Sequence, residues 1–229
     1  MKKFINMRKF IVILAITSNA IIYGQQTLSV NQILGDNSVF NGVTSNGKSL
    51  KYEDIKGTPY AENTFRLAKL AENYDETPVR YNSYRDEIEF KKGDEIQVLP
   101  KQKEYSRISI KSPLETIVLL DTNDDLKGYF FELVSGKTTL YRKDKTIFRD
   151  AVPAANSYAA SKPAEFKKQD PVYYIGIGNN FIKKPKNQKE IIDALPNLKE
   201  QVNKFVKENK IKFTKEEDLK KLVDFLNQN

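Results

Sequence analysis

The sequence predicts a mainly β, α+β fold: an antiparallel sandwich, roll or half-barrel, finished by two or three short C-terminal helices. Three observations carry this. Between residues 64 and 148 apolar and polar side chains alternate with a period of two, the pattern of a strand with one buried face. These runs recur at roughly 8–12-residue intervals with turn signals between them, and no helical stretch separates them as a doubly wound fold would require. After residue 187 the apolar period lengthens to that of a helix.

Each element follows from local chemistry. Asn41-Gly42 and Asn46-Gly47 supply positive φ cheaply, and Val43 and Leu50 beside them predict a short hairpin. Val79, Tyr81 and Ser83 alternate with Arg80, Asn82 and Tyr84; Ile88 and Phe90 with Glu87, Glu89 and Lys91; Ile108 and Ile110 with Arg107, Ser109 and Lys111. Ile96 and Val98, after the turn at Lys92-Gly93-Asp94, predict a further strand. The continuous apolar runs at 117–120 and 129–134 suit central strands covered on both faces. Ser135-Gly136-Lys137 turns into another strand at 138–141, and residues 64–74 read as a strand, with a short helix as the alternative. The Pro- and Ala-rich stretch 151–171 reads as a long loop, followed by a hairpin around Gly176 and Gly178. Near the C-terminus Asn187 and Asn197 are expected N-caps, and Thr214 with Glu217 has the spacing of a capping box.

Residues 1–24 read as a signal peptide. Lys2, Lys3, Arg8 and Lys9 precede the apolar stretch 10–16 and a polar break at Thr17-Ser18-Asn19. The uninterrupted apolar run is 7 residues, against about 18 for a membrane-crossing helix, so no transmembrane anchor is expected. Cleavage after Gly24 removes the whole apolar segment, whereas cleavage after Ala20 leaves Ile21 and Ile22. The domain reading is therefore a signal peptide at 1–24, a loosely attached segment at 25–60, an antiparallel β domain at 61–186, and a helical element at 187–229.

Composition excludes several chemistries. The chain has no Cys and no His, so disulfides, thiolate nucleophiles, imidazole bases and Cys- or His-ligated zinc are all ruled out. Basic residues number 38 against 30 acidic. Residues 1–24 hold four positive charges and no acid, so processing leaves 34 against 30 and a net charge of +4. That field is weak, and no nucleic-acid partner is expected.

Certain segments carry a resemblance: residues 56–60, Val79-Arg80-Tyr81-Asn82 with residues 86–90, Gly128-Tyr129-Phe130, and Gly136-Lys137 with Leu140-Tyr141. Residues 187–190, 202–210 and Glu216-Glu217-Asp218-Leu219 extend it. Together they resemble a group of uncharacterised exported proteins common in Bacteroidetes bacteria. The resemblance implies a cell-envelope location and assigns neither an activity nor a site residue. The helical ending shows no β-sandwich sorting domain of the outer-membrane secretion route, so the periplasm is favoured over the cell surface.

Candidate chemistry is sparse. Asp121, Asn123 and Asp125, with Glu132, follow the ligand spacing of a calcium loop, but Leu126 stands where the sharp turn wants glycine, so a polar hairpin turn is the plainer reading. Gly176-x-Gly178 lacks the third glycine of a nucleotide loop, and Ser45-x-x-Lys48 falls in a turn. Glu87 and Glu89 share one strand face and invite a carboxylate-hydrolase reading, although solvated strand faces commonly look the same. The basic run Lys183-Lys184-Pro185-Lys186 with Lys189 suits an acidic envelope partner or an anionic envelope surface. The leading expectation is thus a non-catalytic binding or structural protein of the envelope. The alternatives are a carrier of a hydrophobic or lipid ligand in a curved sheet, and a carboxylate hydrolase. Protein recovered from the envelope is expected to begin at Gln25. N-terminal sequencing checks this, and an intact Met1 would overturn it.

Overall fold

The computed structural model describes residues 39, 41–45, 47–156 and 158–229. The signal-peptide reading and the first part of segment 25–60 lie outside the described residues. A first hairpin joins β1 (Gly42–Ser45) to β2 (Lys48–Lys51). The chain continues through β3 (Arg66–Lys69), β4 (Glu76–Asn82), β5 (Glu87–Lys92), β6 (Glu95–Val98), β7 (Arg107–Ile110), β8 (Glu115–Leu120), β9 (Gly128–Val134) and β10 (Thr138–Lys143). A second hairpin pairs β11 (Thr146–Arg149) with β12 (Glu165–Lys168). Then come β13 (Val172–Ile177), β14 (Asn180–Lys183) and the helices α1 (Gln188–Ala194), α2 (Lys199–Glu208) and α3 (Glu216–Gln228).

Ten strands form one antiparallel sheet in the order β14-β13-β10-β9-β8-β7-β3-β4-β5-β6. The sheet is curled. Four inter-strand steps separate β9 from β4, about 19 Å if flat. Yet the Tyr81 ring lies 6.4 Å from that of Tyr129 and 5.9 Å from that of Phe131. The curl exists because one face of the alternating strands is apolar and no second layer covers it. Val79, Tyr81, Ile88, Phe90, Ile108, Ile110, Ile117, Tyr129 and Phe131 therefore bury against one another. Each large apolar side chain so enclosed contributes about 1.5–3 kcal/mol.

The curl is fastened at one end by Asp86, in the β4–β5 turn, with a left-handed φ of 58°. Its carboxylate accepts from Lys143 Nζ at 2.6 Å, Lys101 Nζ at 2.7 Å, the Tyr81 hydroxyl at 2.8 Å and the Tyr129 N–H at 3.2 Å. Lys143 is buried and also donates to the Tyr129 carbonyl at 2.9 Å. Burial pushes its ammonium below the ordinary value, against the pull of Asp86. Gly128 makes this approach possible. Its φ is +134°, and a Cβ there would lie 1.8 Å from Asp86 Oδ2. Beside this fastening Thr146 N donates to Ser83 O at 3.1 Å, and the two hydroxyls of Ser83 and Thr146 lie 2.8 Å apart.

A second core lies between β10, β13 and the helices. Leu219, Leu222, Val223 and Leu226 of α3 recur at helical spacing and pack with Val202 and Ile191 onto Leu140 and Ile175. The end of α3 is tied to β10 by Asn227, which accepts from Thr138 N at 2.8 Å and donates to Thr138 O at 2.9 Å. On the opposite face of the sheet Val118, Leu126, Phe130 and Tyr174 form a further cluster, so β8 and β9 are covered on both faces as their continuous apolar runs predicted.

Several local expectations are corrected. Asn187 caps α1 through the Lys189 N–H, but Asn197 does not cap α2. A 3-10 turn at Pro196–Leu198 runs straight into that helix and keeps Asn197 out of the extended cap conformation. The capping box at Thr214 is not made: a turn from Lys212 to Lys215 places the N-cap at Lys215 without a side-chain bond, and Thr214 stays exposed. In β6 the buried side chain is Gln97, with Ile96 and Val98 only half-buried. The stretch 151–171 is not all loop, since β12 lies within it and pairs with β11. Residues 41–60 bury Val43, Tyr52, Ile55 and Tyr60 against Phe166 of that hairpin.

Asp86→Asn is expected to destabilise the protein by about 3–5 kcal/mol, because Lys143 is left buried without its counter-charge. Lys101→Ala, at a half-exposed partner, is expected to cost under about 1 kcal/mol. Gly128→Ala should cost about 3–5 kcal/mol, from the left-handed backbone and the displaced Asp86. Gly93→Ala, where φ is +63° and a Cβ meets nothing within 4 Å, should cost only about 1–2 kcal/mol. Urea denaturation midpoints check all four, and equal losses at the two glycines would contradict the fastening role.

Candidate functional site

The polar alternation in β4 and β5 suggested a solvated face. The structure covers that face with the β1–β2 and β11–β12 hairpins, and the polar side chains there form a closed network. Glu89 is fully buried and pairs with Arg80 at 2.6 Å, and Asn82 Nδ2 donates to Glu89 at 3.1 Å. Arg80 Nη2 donates to the Tyr60 hydroxyl at 2.6 Å, and the guanidinium lies 4.4 Å from the Phe65 ring centroid. Burial pushes the Tyr60 phenol well above its ordinary value, and the neighbouring Glu89 pushes it further the same way. Tyr60 and Arg80 line an open cavity of about 620 Å³ with Tyr52, Thr58 and Asn63. The two cations at its wall are each paired, Arg80 with Glu89 and Lys51 with Glu53. Glu87 is half-buried, and burial pushes its carboxyl up, so the expected pair consists of one partly accessible acid and one locked one.

The candidate calcium residues lie on the turn between β8 and β9. Asp121 Oδ1 accepts from Asn123 N at 3.1 Å, and Asn123 has a left-handed φ of 55°. Asp125 pairs with Lys183 at 2.8 Å. Asp124, which the calcium spacing passed over, is the organising acid. It accepts from Thr122 Oγ1 at 2.8 Å, Leu126 N at 2.9 Å and the Tyr174 hydroxyl at 2.8 Å, and lies 3.1 Å from Lys183. Burial pushes its carboxyl up, but the hydrogen bonds from Tyr174, Thr122, Leu126 and Lys183 outweigh this and hold it at about 2. Glu132 is directed elsewhere, to a two-point ion pair with Arg107 at 2.6 and 2.9 Å. Among the described residues no group of three or more acidic side chains is gathered closely enough to hold a metal ion.

The basic run behaves differently from one residue to the next. Lys183 is taken by Asp124 and Asp125. Lys184 and Lys186 instead rim a groove of about 720 Å³, joined there by Lys212 from the α2–α3 connection. Tyr173, Phe213 and Pro185 line its apolar part, and Asp170 is an acid on its lining. All three lysines are exposed, and among the described residues no carboxylate pairs with them. Lys184 has a left-handed φ of 48° and donates its backbone N–H to Tyr173 O at 2.8 Å. Lys186 N donates to Glu190 at 3.2 Å and Lys212 N to Asp218 at 3.0 Å, so both nearby carboxylates bind backbone rather than ammonium groups. The Tyr173 hydroxyl donates to Glu216 at 3.1 Å, and burial with that carboxylate pushes its phenol up to about 12. Glu216 is in turn held by Arg142 at 3.3 Å and Lys220 at 2.8 Å. The groove thus presents three unmatched ammonium groups over an aromatic floor. The sequence displayed Lys184 and Lys186 as a pair. Lys212, Tyr173 and Phe213 carried no signal, because separate segments bring them in.

No helix among the described residues is long and apolar enough to cross a membrane. No family model, no curated protein and no solved structure matches the chain.

Two outcomes follow at the β8–β9 turn. The folded carboxyl of Asp124 lies below its ordinary value of 3.8, so its stabilisation is complete above about pH 4 and is lost as pH falls toward about 2. The stability gap between wild type and Asp124→Asn should therefore shrink across that window, which urea titrations at stepped pH will read. A gap that widened on acidification would contradict it. Calcium at Asp125 must first displace Lys183, so calorimetry with millimolar calcium should detect heat in Lys183→Ala before it does in wild type. Earlier heat in wild type would refute this competition.

Proposed function

We propose that this chain is an exported cell-envelope protein with a non-catalytic binding role, and that it receives an anionic partner in the Lys184–Lys186–Lys212 groove. The observation that carries the reading is the convergence of three exposed ammonium groups, none paired with a carboxylate among the described residues, on one groove with an aromatic floor. Several other cations are held in ion pairs: Arg66 with Glu115, Arg80 with Glu89, Arg107 with Glu132, Arg142 with Asp144, Lys183 with Asp125. Unmatched like charges around one concavity raise the local concentration of anions and are neutralised when one binds. The basic N-terminus, the short apolar stretch behind it and the resemblance to exported proteins support the envelope location.

The carrier reading has less support. The cavity that Tyr81, Ile117 and Phe131 share with Arg66, Glu115, Arg142 and Asp144 amounts to about 120 Å³ and is largely polar, whereas pockets that enclose small ligands are typically about 300–1,000 Å³ and mostly apolar. A carboxylate hydrolase would need two accessible acids across a cleft, and Glu89 is enclosed by Arg80 and Asn82.

Immobilised polyglutamate is expected to retain the processed protein at about 50 mM salt and to release it by about 300 mM. The variant Lys184→Glu/Lys186→Glu/Lys212→Glu should lose retention at least about tenfold, equivalent to roughly 1.4 kcal/mol. Retention unaffected by the triple change, or clear turnover in a broad hydrolase screen, would reject the reading.

A further inference from the structure

We infer that the occupant of the lysine groove is a phosphate-bearing amphiphile: a phosphoryl head held by Lys184, Lys186 and Lys212, and an apolar portion laid on Phe213 and Tyr173. This rests on the anionic-partner reading above and names its ligand class.

Four features point to it. The first is the type of cation. Arginine, whose planar fork matches two carboxylate oxygens as in the two-point Arg107–Glu132 pair, is absent from the groove lining. The groove has lysines alone, compact point charges that suit a phosphoryl group approached from several sides. The second is the amount of charge. A phosphomonoester carries about −1.5 to −2 near neutral pH, and three unmatched ammonium groups against one lining acid, Asp170, leave a comparable positive excess. The third is shape. Lys184 and Lys186 come from the connection after β14, and Lys212 from the connection before α3, so the charges converge over a hollow instead of spreading along a ridge. Its volume of about 720 Å³ falls in the size class of small-ligand sites. The fourth is the floor. Phe213 and Tyr173 are half-buried members of the helix–sheet core, so the apolar part of a ligand would rest on rigid packing.

Backbone geometry reinforces the third feature. Lys184 holds a left-handed conformation that costs an L-residue about 1–2 kcal/mol. Its N–H bond to Tyr173 O locks that conformation, and Pro185, buried beside it, stiffens the same turn. Strain of this kind concentrates where a binding surface must be held in a set shape.

Calorimetry on the processed protein tests the inference with three probes. Lysophosphatidic acid below its micellar concentration is expected to bind at least about tenfold more tightly than inorganic phosphate, and lysophosphatidylcholine of the same chain length should bind far more weakly than the acid. Lys184→Gln/Lys186→Gln/Lys212→Gln should weaken lysophosphatidic acid at least about tenfold. Phe213→Ser should weaken the amphiphile and leave inorganic phosphate unchanged. Should Phe213→Ser lower the unfolding midpoint, the lysine variant alone decides, because its three side chains are exposed. Equal affinity for inorganic phosphate and lysophosphatidic acid would point to a free-phosphate source and remove the apolar half of the inference. Equal affinity for the choline ligand, or no loss in the lysine variant, would overturn the site. Retention on polyglutamate without binding of either phosphate probe would overturn the inference and leave the broader reading standing; loss of both would overturn both.

Discussion

The curl that the apolar face drives is fastened by one carboxylate. Asp86 receives donors from β4, from the connection after β6, from the Tyr129 N–H of β9 and from β10, so a single side chain holds together segments far apart in the strand order. A carboxylate suits the position because it only accepts, and every group turned toward it has a proton to give. Lys143 makes the arrangement obligatory, since an ammonium group so deeply buried is tolerable only beside a counter-charge. Gly128 completes it by leaving the Cβ space empty.

This constraint determines where function can sit. With the curl closed on itself, its interior fills with Ile88, Phe90, Ile108 and Tyr129, all fully enclosed, and little room remains for a guest. The outer face of β4 and β5 is partly covered in turn, so that Glu89 is buried against Arg80 while Arg80 still lines the open cavity beside Tyr60. The helices cover the far half of the sheet through Leu140 and Ile175. Concavity then survives mainly where connections meet, and the groove between the β14–α1 and α2–α3 linkers is such a place.

The charged groups divide along the same lines. Arginines are drawn into fixed pairs at strand faces, where a planar fork can satisfy a carboxylate with little loss of side-chain freedom. Lys184, Lys186 and Lys212, at the connections, keep their ammonium groups in water. The basic run illustrates how one sequence feature splits: Lys183, the last residue of β14, turns to the Asp124–Asp125 corner, and Lys184 and Lys186, beyond the strand, do not.

Much of the fold was legible because it depends on neighbours along the chain. Alternation at Val79 and Tyr81, at Ile88 and Phe90 and at Ile108 and Ile110 placed the strands and their inner face; the apolar runs at 117–120 and 129–134 marked strands covered twice; Leu219, Leu222, Val223 and Leu226 gave the last helix. Caps and turns were less legible, since Asn197 and Thr214 have the right chemistry in a backbone that other contacts had already shaped. The burial of Glu89 and Arg80, the meeting of Asp86 with Lys143 and the gathering of Lys184, Lys186 and Lys212 were decided by tertiary structure alone. A residue's periodicity records which face it occupies, but not whether another layer will cover that face or which distant charge will arrive beside it.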